Sequence, residues 1–283
     1  MGYILLALSS ALLLGIWQFG LSLYRGKASV YAVILLSTTA AGVVYVLLGA
    51  FQQSLTFNAD DVPEGLIGGA LNFTGTLLIL KAFARGKVGV VVGVAALYVL
   101  VPLGYSIYLG EQLTAQATIG VALLLAGIAT FYARTIRRSG AHETSNSPAP
   151  ILLALGAAFF WGLAIVVLDV GSLVSVTGAL AASQIPQIAM AATVLVVSST
   201  HSMMGVSGRA VAVLAGSGVA LALGNISFFT AANEGDIGVV AVLGSLSPMV
   251  TALLAALFFK ERLARSDQAA FAIVLIGTAL IVA

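Results

Sequence analysis

The sequence predicts an all-α membrane protein with ten transmembrane helices. Hydrophobic residues make up 60% of the chain and charged residues only 8%, with a mean hydropathy of +1.12. Such a composition leaves too little polar surface to cover a globule in water. The apolar residues also form continuous runs of about the 20 residues that a membrane helix needs, rather than the alternating pattern of barrel strands.

Ten apolar segments separated by short polar gaps are the predicted helices. Five are charge-free runs of membrane length, at residues 3–24, 88–110, 112–133, 210–233 and 237–259. Two longer runs, 28–59 and 170–200, each hold one helix and a polar flank. Three shorter segments, 65–80, 151–168 and 268–283, recruit flanking residues. Nothing outside these ten segments is long enough to fold separately.

The basic residues occur only in alternate gaps between the segments. All 12 Lys and Arg residues follow the first, third, fifth, seventh or ninth segment, whereas the other gaps carry acids such as Asp60, Glu111 and Asp236 but no base. Because Lys and Arg resist translocation, we expect the odd-numbered gaps in the cytoplasm and both termini outside an inner (plasma) membrane. The net charge of the chain is only +2, and its basic residues are confined to the odd-numbered gaps, so the charge does not indicate a nucleic-acid surface.

An internal repeat divides the chain into two halves. Gly86-Lys-Val-Gly-Val-Val91 recurs 149 residues later as Gly235-Asp-Ile-Gly-Val-Val240, and Glu111-Gln-Leu113 recurs as Glu261-Arg-Leu263. We therefore expect one repeat at 1–136, a cytoplasmic linker at 137–150 and a second repeat at 151–283. Each repeat holds five helices, an odd number, so the second must cross the membrane upside down. Inverted repeats are a recurring design of secondary transporters, whose substrate site lies where the halves meet.

The later part of the second repeat resembles a known family. Residues 244–263, GSLSPMVTALLAALFFKERL, and their first-half counterpart 96–113 resemble the penultimate helix and E-x-L turn of EamA-type transporters of the drug/metabolite transporter superfamily. The resemblance implies an exporter or exchanger of small metabolites such as amino acids, with a central cavity lined by helices 1, 3 and 4 of each half. Family members usually place both termini in the cytoplasm, contrary to the charge distribution here. Pro102 and Pro248 stand at different repeat positions, which predicts that the helix irregularity is displaced between the halves.

Polar and amphipathic residues on these helices are the candidate substrate-binding groups, because a polar group at membrane depth needs a cavity or a partner helix. They are Trp17, Gln18, Asn72, Tyr98, Tyr105, Trp161, Asn225, Ser245 and Ser247. For the serines a bond to the helix backbone is the alternative, and for Trp and Tyr an anchor at the membrane interface. No acid lies in mid-span, so Asp169 at the end of helix 6 is the candidate for ion coupling, with a solvated carboxylate as its alternative.

Three functions fit the sequence to different degrees. The repeat and the resemblance favour a secondary transporter that works by alternating access, and a membrane receptor or scaffold without transport is the first alternative. An intramembrane enzyme, the second, would need clustered acids, bases or metal ligands at membrane depth, and the sequence offers none. We therefore expect no catalytic residue, cofactor or metal, and as partners a small-molecule substrate and the lipid bilayer, with no nucleic acid. Either a monomer or a homodimer is compatible with the sequence.

Overall fold

The structure, a computed structural model, describes residues 2–24, 28–56, 62–86, 91, 94–110, 114–140, 148–197 and 207–258, together with 269, 272–273, 276–277 and 280. Every regular element within these residues is helical. In chain order they are α1 Gly2–Ser22, α2 Val30–Phe51, α3 Val62–Arg85, a 3₁₀ segment Ala96–Val99, α4 Leu100–Tyr108, α5 Ala115–Gly140, α6 Ala149–Ser172, α7 Val176–Val197, α8 Gly208–Glu234, α9 Ile237–Gly244 and α10 Ser247–Phe258.

Most of the predicted helices are long and apolar enough to cross a membrane. Seven such segments occur in the described part of the chain: Gly2–Ser22, Val30–Phe51, Val62–Arg85, Ala149–Ser172, Val176–Val197, Gly208–Glu234 and Ile237–Ala255. Two shorter apolar helices, Ala96–Tyr108 and Thr118–Gly127, lie where the fourth and fifth spans were predicted. The tenth segment and both E-x-L turns lie almost wholly outside the described residues. The chain is an integral membrane protein, and its number of ten helices stays a prediction.

The first half ends in a longer helix than the sequence predicted. Residues 137–150 were assigned to a linker, but α5 continues to Gly140 and α6 begins at Ala149. No Gly or Pro interrupts the chain between residue 133 and Ser139, so nothing stops the helix at the predicted boundary. The last helix of the first half therefore extends into the stretch that was assigned to the linker.

The outer surface of the bundle is apolar. Leu5 of α1, Leu47 of α2 and Val196 of α7 are 67%, 63% and 81% exposed, respectively. A water-soluble protein rarely shows large apolar side chains so densely, whereas a bilayer provides an apolar environment for them. This surface is therefore the one that contacts lipid.

The helices of each half pack mainly against helices of the other half. α1 lies along α8, α3 along α6 and α2 along α7, while α2 also contacts α8 and α3 also contacts α7. These pairings are reciprocal: exchanging α1, α2 and α3 for α6, α7 and α8 turns every contact into another observed contact. The core of the protein is thus the interface between its halves.

Glycines at equivalent positions allow two of these helix pairs to approach closely. Gly69 of α3 lies against the backbone carbonyl of Ser183 in α7, and Gly218 of α8, 149 residues later, lies against the carbonyl of Ser37 in α2. A Cβ atom at either position would collide with the facing carbonyl oxygen. Small residues at such contacts let backbones pack tightly where no hydrophobic effect drives association.

The fourth and ninth predicted helices are interrupted at equivalent positions. The fourth passes through the 3₁₀ segment that begins at Ala96, and the ninth has a turn at 245–246 between α9 and α10. These breaks start 149 residues apart, so the expectation that the irregularity is displaced between the halves is wrong. Because proline lacks an N–H, Pro102 and Pro248 leave the backbone carbonyls of residues 98 and 244 without the hydrogen bonds that residues 102 and 248 would donate in an α-helix. With the repeat offset of 149, residue 98 corresponds to residue 247, so the two carbonyls lie within one helical turn of equivalent positions.

Candidate functional site

A cavity of about 70 Å³ lies between the two halves. Its walls come from α1, α3, α6 and α8, and from the two interrupted helices. Seven of the nine predicted substrate-binding residues line it: Trp17, Gln18, Asn72, Tyr98, Trp161, Asn225 and Ser247. A void of about 10 Å³ lies beside it. Four side chains, those of Trp17, Gln18, Tyr98 and Trp161, line both spaces and therefore stand between them.

α1 and α6 present equivalent faces to the cavity. In α1 the lining residues are Leu14, Trp17 and Gln18, and in α6 the corresponding set is Trp161, Ala164 and Ile165, beside which Leu168 also lines the cavity. Each residue of the α6 set follows its counterpart in α1 by 147 residues. Within each set, the second and third residues follow the first by three and four positions, so all three lie on one face of their helix. The frame of the cavity is therefore the same on both sides, while the side chains that cover it differ.

The two cavity tryptophans differ in their hydrogen bonding. The ring centroids of Trp17 and Trp161 are 6.2 Å apart, with 52° between the ring planes. The Nε1–H of Trp161 donates to Thr76 Oγ1 at 3.3 Å. The Nε1 of Trp17 is buried and has no partner among the residues that the structure describes. Leaving such a donor unpaired costs about 1–3 kcal/mol, so this group calls for an explanation.

Gln18 is held at the cavity by Thr251 of α10. The Thr251 Oγ1 atom lies 3.2 Å from Gln18 Oε1 and 3.0 Å from the backbone carbonyl oxygens of both Gly15 and Ser247. Gln18 and Thr251 are both buried. One hydroxyl group thus connects α1 to the interrupted helix of the other half.

The two cavity asparagines each bond a helix of the opposite half. The Nδ2 of Asn72 in α3 donates to Gln187 Oε1 in α7 at 3.3 Å, and the Nδ2 of Asn225 in α8 donates to the Tyr45 hydroxyl in α2 at 3.0 Å. Gln187 and Tyr45 are both almost fully buried. Each asparagine therefore lines the cavity and also ties the halves together.

Tyr98 and Ser247 occupy equivalent places in the two interrupted helices. The Ser247 side chain hydrogen-bonds the Tyr98 hydroxyl, so the two breaks meet at the cavity. Glycines position them: Gly162 of α6 lies against the backbone carbonyl of Tyr98, and Gly15 of α1 lies against that of Ser247. Each long helix thus supports the break of the repeat to which it does not belong.

Three predicted residues do not line this cavity. The hydroxyl of Ser245, which is fully buried, donates to the carbonyl of Val242 at 2.6 Å, the backbone role that was its alternative. Tyr105 is half-buried and packs against the hydrophobic core. Asp169 is half-buried in the last turn of α6, where its backbone carbonyl accepts a bond from Ser172 Oγ at 2.9 Å. Coupling through Asp169 stays a prediction.

Sequence reasoning missed two groups of residues around the cavity. One is the apolar wall, which includes Leu168, Phe228 and Phe229. Part of this wall could have been identified from the repeat, because the offset of 147 residues between α1 and α6 makes Leu168 the counterpart of Leu21. Leu21 lines the smaller void. The other group is the polar partners behind the lining, such as Gln187, which the sequence did not connect with the cavity because α2 and α7 were not expected near it.

The fold is similar to one that is already known. A solved crystal structure aligns with 98% of this chain and 95% of its own, with a TM-score of 0.79 and 18% sequence identity. At that identity the likeness establishes the fold alone. No curated protein is a significant match to the sequence.

The second half of the chain matches a family. Residues 148–283 match the model of the EamA-like transporter family, a range that begins one residue before α6 and continues through α10. The range contains residues 244–263, where the sequence first showed the resemblance. This half of the chain is therefore similar to the EamA-like transporters of the drug/metabolite transporter superfamily, in agreement with the resemblance seen in the sequence.

Proposed function

We propose that the protein is a secondary transporter, an exporter or exchanger, that moves a small metabolite across the membrane by alternating access. The observation that carries this proposal is the cavity of about 70 Å³ between the halves, which collects polar side chains in an otherwise apolar bundle. Burying a polar group at membrane depth is energetically costly unless the group is hydrogen-bonded to another part of the protein or faces a substrate pathway. Substrate sites of transporters with inverted repeats lie at such an interface.

The proposal includes ten membrane helices in two inverted repeats, 1–136 and 151–283, joined by the cytoplasmic linker at 137–150. The reciprocal packing of α1 to α3 on α6 to α8 supports it, since a two-fold relation between repeats produces that pattern. The breaks at Ala96 and Ser245 support it too, because they start at equivalent positions and meet at the cavity.

Two equivalent residues lie in spaces of different size, which supports two alternating states. Leu168 of α6 lines the cavity of about 70 Å³, whereas Leu21 of α1, the equivalent position in the first half, lines the void of about 10 Å³. In a bundle of inverted repeats, these positions lie toward opposite sides of the membrane. Exchange of the two arrangements would close one space and open the other.

The distribution of basic residues supports an orientation with both termini outside an inner (plasma) membrane. A reporter fused after Ala283 should then behave as periplasmic or extracellular, and one inserted at Ser145 as cytoplasmic. The opposite pair of results would mean that the usual orientation of the family outweighs the charge signal.

The cavity lining suggests how transport is driven. None of the residues that line it in the described part of the chain is Asp, Glu, Lys, Arg or His. We therefore propose facilitated diffusion or exchange, or coupling through Asp169 at the end of α6. The partners would be a small-molecule substrate and lipid, with the protein a monomer or a homodimer and without a cofactor or nucleic acid.

The absence of cysteine from the chain makes a direct test of alternating access possible. Single cysteines at Leu21→Cys and Leu168→Cys would report access to the two spaces by thiol labelling in proteoliposomes. The same vesicles would be assayed for uptake of radiolabelled amino acids, sugars and nucleotides. Phe51→Cys, at an 88% exposed position at the end of α2, is the control.

A transported solute should change labelling at positions 21 and 168 in opposite directions and leave position 51 unchanged. Parallel changes at the two sites would contradict alternating access even if uptake occurred. Binding of a solute without any uptake would favour the alternative of a receptor or scaffold.

A further inference from the structure

The α1 side of the cavity offers a hydrogen-bond donor and an acceptor in adjacent residues. On the basis of the proposed function, we propose that Trp17 and Gln18 determine which solute is taken: a small molecule without net charge whose acceptor is bound by the Trp17 indole N–H and whose donor is bound by the Gln18 amide oxygen. The equivalent residues of α6, Ala164 and Ile165, cannot form such bonds.

The donor is identified by the contrast between two tryptophans that line the same cavity. The indole N–H of Trp161 is already bonded to Thr76, whereas that of Trp17 is buried without a partner among the described residues. Buried donors are rarely left unpaired without a reason. A solute acceptor that reaches Trp17 would form the bond that the protein leaves unmade.

The acceptor follows from the hydrogen-bond capacity of Thr251. Its hydroxyl has one proton, and the carbonyl oxygens of Gly15 and Ser247, each 3.0 Å away, can only accept. Gln18 Oε1 lies 3.2 Å from the same hydroxyl, so when Thr251 donates to one of these carbonyls the two oxygens face each other with no proton between them. A half-turn of the amide removes this conflict, because it directs the Nε2–H group of Gln18 to the Thr251 oxygen. The amide oxygen of Gln18, which lines the cavity, then remains for the solute.

The size and the electrical neutrality of the site set the class of solute. A volume of about 70 Å³ holds roughly five to seven water molecules at about 10–15 Å³ each, and a solute with a similar number of non-hydrogen atoms. A net charge would find no opposite charge among the described lining residues. Burying an unpaired ion at membrane depth is far more costly than burying a neutral hydrogen-bonding group.

Four probes of one shape separate these requirements. Propionamide has a donor and an acceptor and no net charge, butanone lacks the donor, propionamidinium is a cation without an acceptor, and propionate is an anion. Binding to the full-length protein in lipid nanodiscs would be measured by saturation-transfer NMR titration. Propionamide should bind tightest, and each of the other three should bind about tenfold more weakly, because a site built for hydrogen bonds rejects analogues that leave its groups unpaired.

Paired variants test the two residues separately. Trp17→Phe should weaken propionamide binding about tenfold through loss of one hydrogen bond. Trp161→Phe, which removes an N–H already bonded inside the protein, is the matched control and should change affinity less than about twofold. Thr251 is a positioning residue: Thr251→Val should remove the preference for propionamide over butanone, and Thr251→Ser should restore it. Loss of folding alone would not move that ratio, and circular dichroism would verify the fold of each variant.

Several outcomes would overturn the assignment. They are equal losses in Trp17→Phe and Trp161→Phe, tightest binding of propionate or propionamidinium, an unchanged preference in Thr251→Val, and failure of all four probes to bind the folded wild type. Opposite cysteine labelling with transport of any solute would leave the transporter proposal intact in each case. Selective propionamide binding without transport of any solute would instead contradict only the transporter proposal.

Discussion

The α1 and α6 walls of the cavity have the same geometry and different chemistry. α1 contributes Trp17 and Gln18, whereas α6 contributes Ala164 and Ile165 at equivalent positions. The backbone contacts that hold the walls against the interrupted helices occur in both halves. The comparison teaches that equivalent backbone contacts occur in both repeats, while the adjacent donor and acceptor that we propose select the solute, Trp17 and Gln18, have no polar counterpart in α6. Substitutions at equivalent positions test this division.

The largest effect is expected where the frame itself is disturbed. Gly69→Val and Gly218→Val should each destabilise the protein by about 1–3 kcal/mol or more, because the added side chain collides with a backbone carbonyl of the facing helix. Thermal unfolding of the purified protein in detergent would measure the loss. Gly216→Val in the same helix as Gly218, with no atom within 4 Å of the added Cβ, should unfold close to the wild type. A large loss at only one of the two contact glycines would contradict the equal role of the halves.

Removal of the neutral polar groups that line the cavity should weaken solute binding without unfolding the protein. Asn72→Ala, Asn225→Ala and Tyr98→Ala should each cost about 1–3 kcal/mol of binding free energy where the solute group is left buried and unpaired. This corresponds to a severalfold to hundredfold loss of affinity, measurable by titration with the transported solute. Unchanged affinity in all three folded variants would mean that the solute binds elsewhere.

The two asparagine bonds between the halves should contribute similar amounts to stability. Double-mutant cycles of Asn72→Ala with Gln187→Leu, and of Asn225→Ala with Tyr45→Phe, should each give a coupling energy of about 0.5–1.5 kcal/mol. The pair Asn72→Ala with Tyr45→Phe shares no hydrogen bond and should be additive. Coupling in one bonded pair and none in the other would show that the halves are held together unequally.

The smallest effect on binding is expected at Asp169. Its side chain does not line the cavity, so Asp169→Asn should change solute affinity by less than about twofold, as most substitutions away from a site do. Any effect should be confined to accumulation driven by a proton gradient in proteoliposomes. If such accumulation occurs and is undiminished in Asp169→Asn, the coupling group is another residue.

Sequence reasoning located the helices closely, because each span must satisfy the bilayer along its own length. The first segment was predicted at 3–24 and α1 runs from Gly2 to Ser22; the eighth was predicted at 210–233 and α8 runs from Gly208 to Glu234. It was less successful at α5, whose end lies beyond the membrane-length run, and at the helix breaks. A proline shows which hydrogen bond is missing, but neighbouring helices decide how the chain adjusts around it.

The polar partners of the lining residues could not have been predicted in the same way. Gln187 and Tyr45 lie in helices that are apolar on most sides, since one side faces lipid and the other faces protein. Hydropathy then shows little periodicity, so the sequence does not reveal which face of α2 or α7 meets the other half. The two asparagines were rightly singled out as polar groups at depth, but their bonds to the opposite half appear only when the helices are packed.

By itself the sequence determined that the chain is a membrane protein, where most of its helices lie and which family it resembles. These properties depend on the length of each apolar segment and on the charges beside it, and both can be read along the chain without knowledge of how the helices pack. Only the tertiary structure decided that Trp161 has a hydrogen-bond partner while Trp17 has none, and that Thr251 holds Gln18. The bonded residues are 85 and 233 positions apart in the chain. A hydrogen bond requires two atoms within about 3 Å, and for residues so distant in sequence only the packing of helices brings them to that separation.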